Sequence, residues 1–229
     1  MFRSHLPRLY ELRDLIPDPD SPDAYFQDFE AVLQDHLAKA VFAGWERKVQ
    51  DLDEDAWKTL KGEASQYLRC RDPRRGWYQL FDILGQADAY KHLIDIGCSR
   101  VRFIPRSDKE GRRTPDLEGW IDSRRVLCEV KTINLSDAEI RERGEFTARG
   151  VKSQLDCGFF RKLQSDIKEA TDQLHADDAT GEARHLVYIR IYFDDWVGYY
   201  KEDYLRQIDQ YLRDNPISGI EIAFRASDY

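Results

Sequence analysis

The stretch TPDLEGWIDSRRVLCEVKT, residues 114–132, constrains this chain more than any other. It reads as two short strands around a polar turn, and side chains alternate faces along a strand. We take the turn over Asp122 to Arg125, so that Ile121 pairs with Val126. One face then carries Leu117 and Ile121 against Val126, Cys128 and Val130 and belongs to a core. The other carries Asp116, Glu118 and Trp120 against Leu127, Glu129 and Lys131. In this register Asp116 lies opposite Lys131 and diagonal to Glu129. A one-residue slip would put Asp116 and Glu129 on opposite faces, and the clean apolar alternation argues against it.

The flanking segments supply the rest of an α/β fold. Ser21 and Pro22 mark a helix start. Phe26, Phe29, Leu33, Leu37, Val41 and Trp45 then recur at the spacing of one apolar helical stripe. Asp53 caps a second helix. The segment 69–76 (RCRDPRRG) is a break, and it divides a helical extension, residues 1–75, from a domain over 76–229. Within that domain the helix 77–98 ends near Gly97, a suitable C-cap. The strand SRVRFIP alternates Val101 and Phe103 with Arg100 and Arg102. The hairpin follows. A short helix is expected after Asn134. A longer one follows, with Phe160, Leu163, Ile167 and Leu174 facing inward. The β-prone HLVYIRIYF, another helix and a closing strand, SGIEIAF, complete the chain. The expected order is α-β-β-β-α-β-α-β, a mixed β-sheet flanked by helices.

Composition narrows the function. The apolar stretch around residues 185–193 is interrupted by arginine and too short to span a bilayer. The segment MFRSHLPRLYELRD has no continuous apolar run, so no secretory signal is expected. Four scattered cysteines without a CxxC pair suit reduced thiols in a cytoplasm. The net charge is −8, yet residues 71–114 carry 10 basic and 6 acidic side chains. That basic block immediately precedes the acidic hairpin. Arg100, Arg102, Arg106, Lys109, Arg112 and Arg113 are candidates for phosphate contacts, as are Arg149 and Lys152 after the second hairpin strand.

Carboxylates that face each other across a strand pair repel, and a hard divalent cation offsets the repulsion. Mg²⁺ accepts one or two carboxylates and keeps several waters. A lysine beside it can stabilise charge developing on a phosphoryl group or act on the attacking water. The face is therefore suited to Mg²⁺ or Mn²⁺ and a phosphodiester.

Pro115-Asp116, with Glu129-Val130-Lys131 beginning thirteen residues after the aspartate, resembles the PD-(D/E)XK signature of the restriction endonuclease-like nuclease superfamily. The resemblance implies a restriction endonuclease-like core. It implies a metal held by Asp116, Glu129 and the main-chain carbonyl of Val130, and catalysis by Asp116, Glu129 and Lys131. It covers roughly residues 76–224 in the order of elements. Gly85, Ala89, Leu93 and Gly97 resemble the first helix of several such families, in which the residue after the first glycine is often glutamate. Here it is Gln86, with Asp82 one turn earlier as a substitute. Gln173 resembles a glutamine that some members bring to the site, Lys162 faces that way less directly, and Glu118 is a further supporting candidate. Trp120 is placed to stack on a base or to pack under the following helix.

The expected function is metal-dependent hydrolysis of phosphodiester bonds, with DNA as the expected polymer. The alternative is a nuclease-fold protein without catalysis that binds nucleic acid or protein. A third, weaker reading is an unrelated α/β protein with an exposed, salt-bridged hairpin. Such an acidic chain also suggests a protein partner or self-association, and no membrane.

Overall fold

The computed structural model describes residues 2–105, 114–133, 154–192 and 200–227. The chain forms two compact units, residues 1–103 and 104–229.

The first unit is mostly helical: α1 (Pro7–Arg13), α2 (Phe29–Val32), α3 (His36–Gln50), α4 (Glu54–Ser65) and α5 (Tyr78–Asp95), then strand β1 (Ser99–Phe103). Three of its helix starts are satisfied by side chains, because the first N–H groups of a helix lack internal partners. Asp35 accepts from the N–H of Leu37 and Ala38, each at 2.9 Å, and Asp53 from that of Ala56 at 2.8 Å. The start of α1 is served from a distance. The buried carboxylate of Glu46 accepts from the N–H of Arg8 at 3.1 Å and of Leu9 at 3.0 Å.

One long helix from Ser21 does not form. Residues 21–28 are turns, Asp28 takes a left-handed φ of 53°, and α2 lasts four residues before α3 restarts at the Asp35 cap. Phe26, Phe29 and Leu33 are buried, whereas Leu37 is 80% exposed. The restart changes the helical phase, so the apolar spacing does not continue along one face. In α5, Gly97 follows the helix at φ 91°, the conformation expected of a helix stop. On β1, Val101 and Phe103 are buried and Arg100 and Arg102 exposed, as the alternation requires.

In the second unit β2 (Leu117–Ile121) and β3 (Arg124–Ile133) form the hairpin. Helix α6 (Cys157–Asp177) follows, then β4 (Arg184–Tyr192), α7 (Lys201–Asp214) and β5 (Ile220–Ser227). The five strands make a mixed open sheet in the order β1-β2-β3-β4-β5. β2 and β3 are antiparallel, while β3-β4 and β4-β5 are parallel. Each parallel step needs a crossover, and α6 and α7 lie in those two connections. The expected order of elements, α-β-β-β-α-β-α-β, is the order observed from α5 to β5. Among the described residues no helix is long and apolar enough to cross a membrane. The segment expected to be helical after Asn134 lies outside the described residues, as do Arg106, Lys109, Arg112, Arg113, Arg149 and Lys152.

One apolar cluster fixes the second unit. Leu127 and Ile133 of β3, with Val187, Ile189 and Ile191 of β4, pack against Leu163, Ile167, Ala170 and Leu174 of α6 and Tyr204 and Ile208 of α7. The α6 residues recur at spacings of three and four, the stripe expected of a helix that buries one side. Leu163→Ala should therefore destabilise the protein by about 2–5 kcal/mol, the range for a fully buried leucine. The urea midpoint of the variant measures it.

Candidate active site

The hairpin closes more tightly than the sequence register supposes. Leu117 pairs with Cys128 and Ile121 with Arg124, leaving a two-residue turn, Asp122-Ser123. Asp122 takes φ 52°, and a two-residue loop with positive φ matches the natural twist of the flanking strands. The register is thus displaced by two residues from Ile121 opposite Val126. An even displacement leaves every side chain on its expected face. It changes who sits level with whom: the Leu117–Cys128 pair puts Asp116 beside Glu129 rather than opposite Lys131.

Asp116 immediately precedes β2. Its Oδ2 accepts from the backbone N–H of Val130 at 2.8 Å, so the side chain continues the ladder where the strand has not yet begun. Its carbonyl accepts from the N–H of Ile104 at 2.9 Å. Buried Pro115 biases Thr114 toward extended backbone. These contacts fix the aspartate from both sides of its Cα.

Glu129 is nearly sealed, at 4% exposure. The polar face of the hairpin is not an exposed, salt-bridged surface, because it lies beneath α6. Oε2 of Glu129 accepts from Gln173 Nε2 at 2.8 Å, and Gln173 Nε2 also donates to the carbonyl of Thr114 at 2.6 Å. Oε1 lies 3.1 Å from Lys131 Nζ. The Glu129 carboxyl is pushed up to about 8, chiefly by burial and then by the charge of Asp116, while Lys131 pulls it down. Asp116 raises it further as a side-chain hydrogen-bonding neighbour.

Helix α6 mirrors the polar residues of β3. Glu169, Gln173 and Asp177 stand four residues apart and so share one helix face. Glu169 Oε1 lies 3.7 Å from Lys131 Nζ, Gln173 holds Glu129, and Asp177 Oδ2 lies 3.5 Å from Arg125 Nη2. Arg125 Nε donates to Glu118 Oε2 at 2.6 Å. Glu118 shares the site's face, but its charge is committed to Arg125.

Of the sequence candidates, Asp116, Glu129, Val130, Lys131 and Gln173 are brought together. Lys162 is held by Asp166, one turn along α6. Trp120 is half-buried, level with Arg125. Gln86, which is buried, and Asp82 belong to α5 of the first unit, and Arg100 and Arg102 to β1. Glu169 and Arg125 join this face in addition to the residues that the sequence points to. The available signal was spacing: Glu169 lies one turn before Gln173 on the same helix face.

The donor set suits a hard cation. Two carboxylates and a backbone carbonyl are oxygen ligands of the kind Mg²⁺ and Mn²⁺ take, and metal binding competes with protonation at such carboxyl groups. Among the described residues no group of three or more His, Cys, Asp or Glu side chains converges to hold a metal. Most of such an ion's coordination would therefore come from water and substrate. Comparison of the chain with protein-family models, curated proteins and solved structures returns no match.

The raised Glu129 value fixes a sign. The folded protein keeps a proton that the unfolded chain releases above the ordinary value of 4.5. Glu129 therefore contributes most to stability below that value, and the contribution is lost as pH rises through about 8. Urea midpoints measured from pH 5 to 9 in chelator should fall more steeply for the wild type than for Glu129→Gln. Parallel curves would show that the carboxyl is not perturbed.

Proposed function

We propose that this chain is a Mg²⁺- or Mn²⁺-dependent nuclease that hydrolyses phosphodiester bonds through Asp116, Glu129 and Lys131. On this reading residues 76–229 carry a restriction endonuclease-like core of the PD-(D/E)XK kind, and DNA is the expected polymer. One observation carries it: the hairpin register sets the Asp116 carboxylate beside buried Glu129, with an ammonium 3.1 Å from Glu129. Nothing in the packing of a simple hairpin calls for two carboxyl groups in contact, since burying like charges is costly. The order of elements from α5 to β5 is the order that the resemblance implies.

Asp116 and Glu129, with the carbonyl of Val130, would hold the cation. When bound, the cation neutralises a phosphoryl oxygen and lowers the pKa of a bound water. The protein's own groups do the rest. Gln173 holds Glu129 and the chain before Asp116 together, so the two carboxyl groups keep their spacing. Lys131 presents a positive charge where negative charge grows on the phosphoryl oxygens, the most effective place for a fixed charge. Its contact with Glu129 places it beside the carboxyl pair. Arg100 and Arg102 are exposed on β1. With the basic residues 106–113 and Arg149 and Lys152 they would supply the phosphate contacts that a chain of net charge −8 needs locally.

The reading is tested by Mn²⁺ calorimetry followed by cleavage assays on DNA and RNA. Asp116→Ala, Glu129→Ala and Lys131→Ala should each cut cleavage by about 10²-fold or more while circular dichroism stays native. Mn²⁺ binding should vanish in Glu129→Ala and persist in Lys131→Ala. Variants that cleave as fast as the wild type sink the proposal. Because the cation displaces a proton from the carboxyl pair, Mn²⁺ affinity should also rise with pH up to about 8. Titrations in buffers of different ionisation enthalpy report that proton release directly.

A further inference from the structure

We infer that Glu169 is a positioning residue for Lys131, an inference that rests on the nuclease reading above. Lys131 Nζ lies between two carboxylates, Glu129 Oε1 at 3.1 Å and Glu169 Oε1 at 3.7 Å. The two are not equivalent. Glu129 is buried on the same strand, and it is the group that would give its charge to a cation. Glu169 is about half exposed and projects from α6. A cation at Glu129 weakens that residue's hold on Lys131, because the carboxylate charge is then shared and the ammonium meets a second positive charge. Glu169 keeps its charge. It is the acceptor that would hold the ammonium at its station once Glu129 is engaged.

The fold makes this contact geometrically natural. Four residues of helix advance about 6 Å, and two residues of strand advance about 6.6 Å. Glu169 and Gln173 on α6 therefore keep step with Lys131 and Glu129 on β3, and each helical side chain meets one strand side chain. The apolar packing of Leu163, Ile167, Ala170 and Leu174 against Leu127 and Ile133 sets that alignment. Glu169 thus needs no adjustment of its own to reach Lys131.

A purely structural ion pair at a half-exposed site would affect stability slightly and catalysis not at all. A metal ligand would affect Mn²⁺ affinity. A positioning residue does neither. The experiment compares wild type, Glu169→Gln and Glu169→Asp, measuring Mn²⁺ binding by calorimetry and cleavage kinetics on the substrate found for the wild type. Glu169→Gln keeps the shape and removes the charge. Its kcat should fall about ten- to hundredfold, the scale of a displaced catalytic group, with KM and Mn²⁺ Kd within about twofold of wild type. Glu169→Asp should recover much of the loss. An unchanged kcat in Glu169→Gln overturns the inference and leaves the nuclease reading standing. A tenfold or greater loss of Mn²⁺ affinity also overturns it, because Glu169 would then be a ligand. Wild-type protein that neither binds Mn²⁺ nor cleaves overturns the nuclease reading and this inference with it.

Discussion

The second unit depends on α6 lying along β3. Leu127 and Ile133 share a strand face with Glu129 and Lys131, and the two apolar residues bracket the two charged ones. Burying Leu127 and Ile133 beneath Leu163, Ile167, Ala170 and Leu174 takes Glu129 and Lys131 in with them. The charged pair cannot stay in water once the helix is seated. Charges so placed destabilise unless each finds partners. The helix brings those partners on the flank of its apolar stripe: Gln173 to Glu129, Glu169 to Lys131, Asp177 to Arg125. Packing and polar satisfaction are supplied by one helix in one register.

The exception to full satisfaction lies between Asp116 and Glu129. Their carboxyl groups meet at the start of the hairpin, one tied to the N–H of Val130 and the other to Gln173. Both tethers are donors, which favour charged carboxylates, whereas burial and mutual repulsion favour a shared proton. Burial and Asp116 raise the Glu129 carboxyl, and on the proposed reading a cation would offset the same repulsion. Apart from Asp116, which directly precedes β2, the site's residues stand on a strand and a helix, so their spacing is set by the core.

Several features were open to reading in the sequence because they rest on strict periodicities. The order of elements followed from where the period changed between two and about 3.6 residues. Asp116, Glu129 and Lys131 could be placed on one face without the true register, since a two-residue displacement preserves faces. The Asp53 cap and the Gly97 stop were visible because those residue types act locally. Other features failed where a local signal met competition. The stripe from Phe26 to Trp45 suggested one helix, but Asp28 in a left-handed turn and Asp35 as a cap broke it into pieces, and Leu37 ended up outside. The expected turn is too wide because Arg124 and Arg125 have the character of loop residues. In the fold they are strand residues, and Arg125 is bound to Glu118 and Asp177.

By itself the sequence determined the α/β class, the succession of helices and strands, and the gathering of two carboxylates and a lysine on one strand face. All of these are encoded by residue type and spacing over a few neighbours. The tertiary structure decided the environment of that face. Nothing in residues 114–132 says whether the polar face meets water or a helix, because α6 begins only at Cys157, 28 positions after Glu129. Its seating buried Glu129, joined it to Gln173, drew Glu169 to Lys131 and pushed the Glu129 carboxyl far above its ordinary range. A group's charge state and partners are properties of the space around it, and that space is filled by residues remote in the chain.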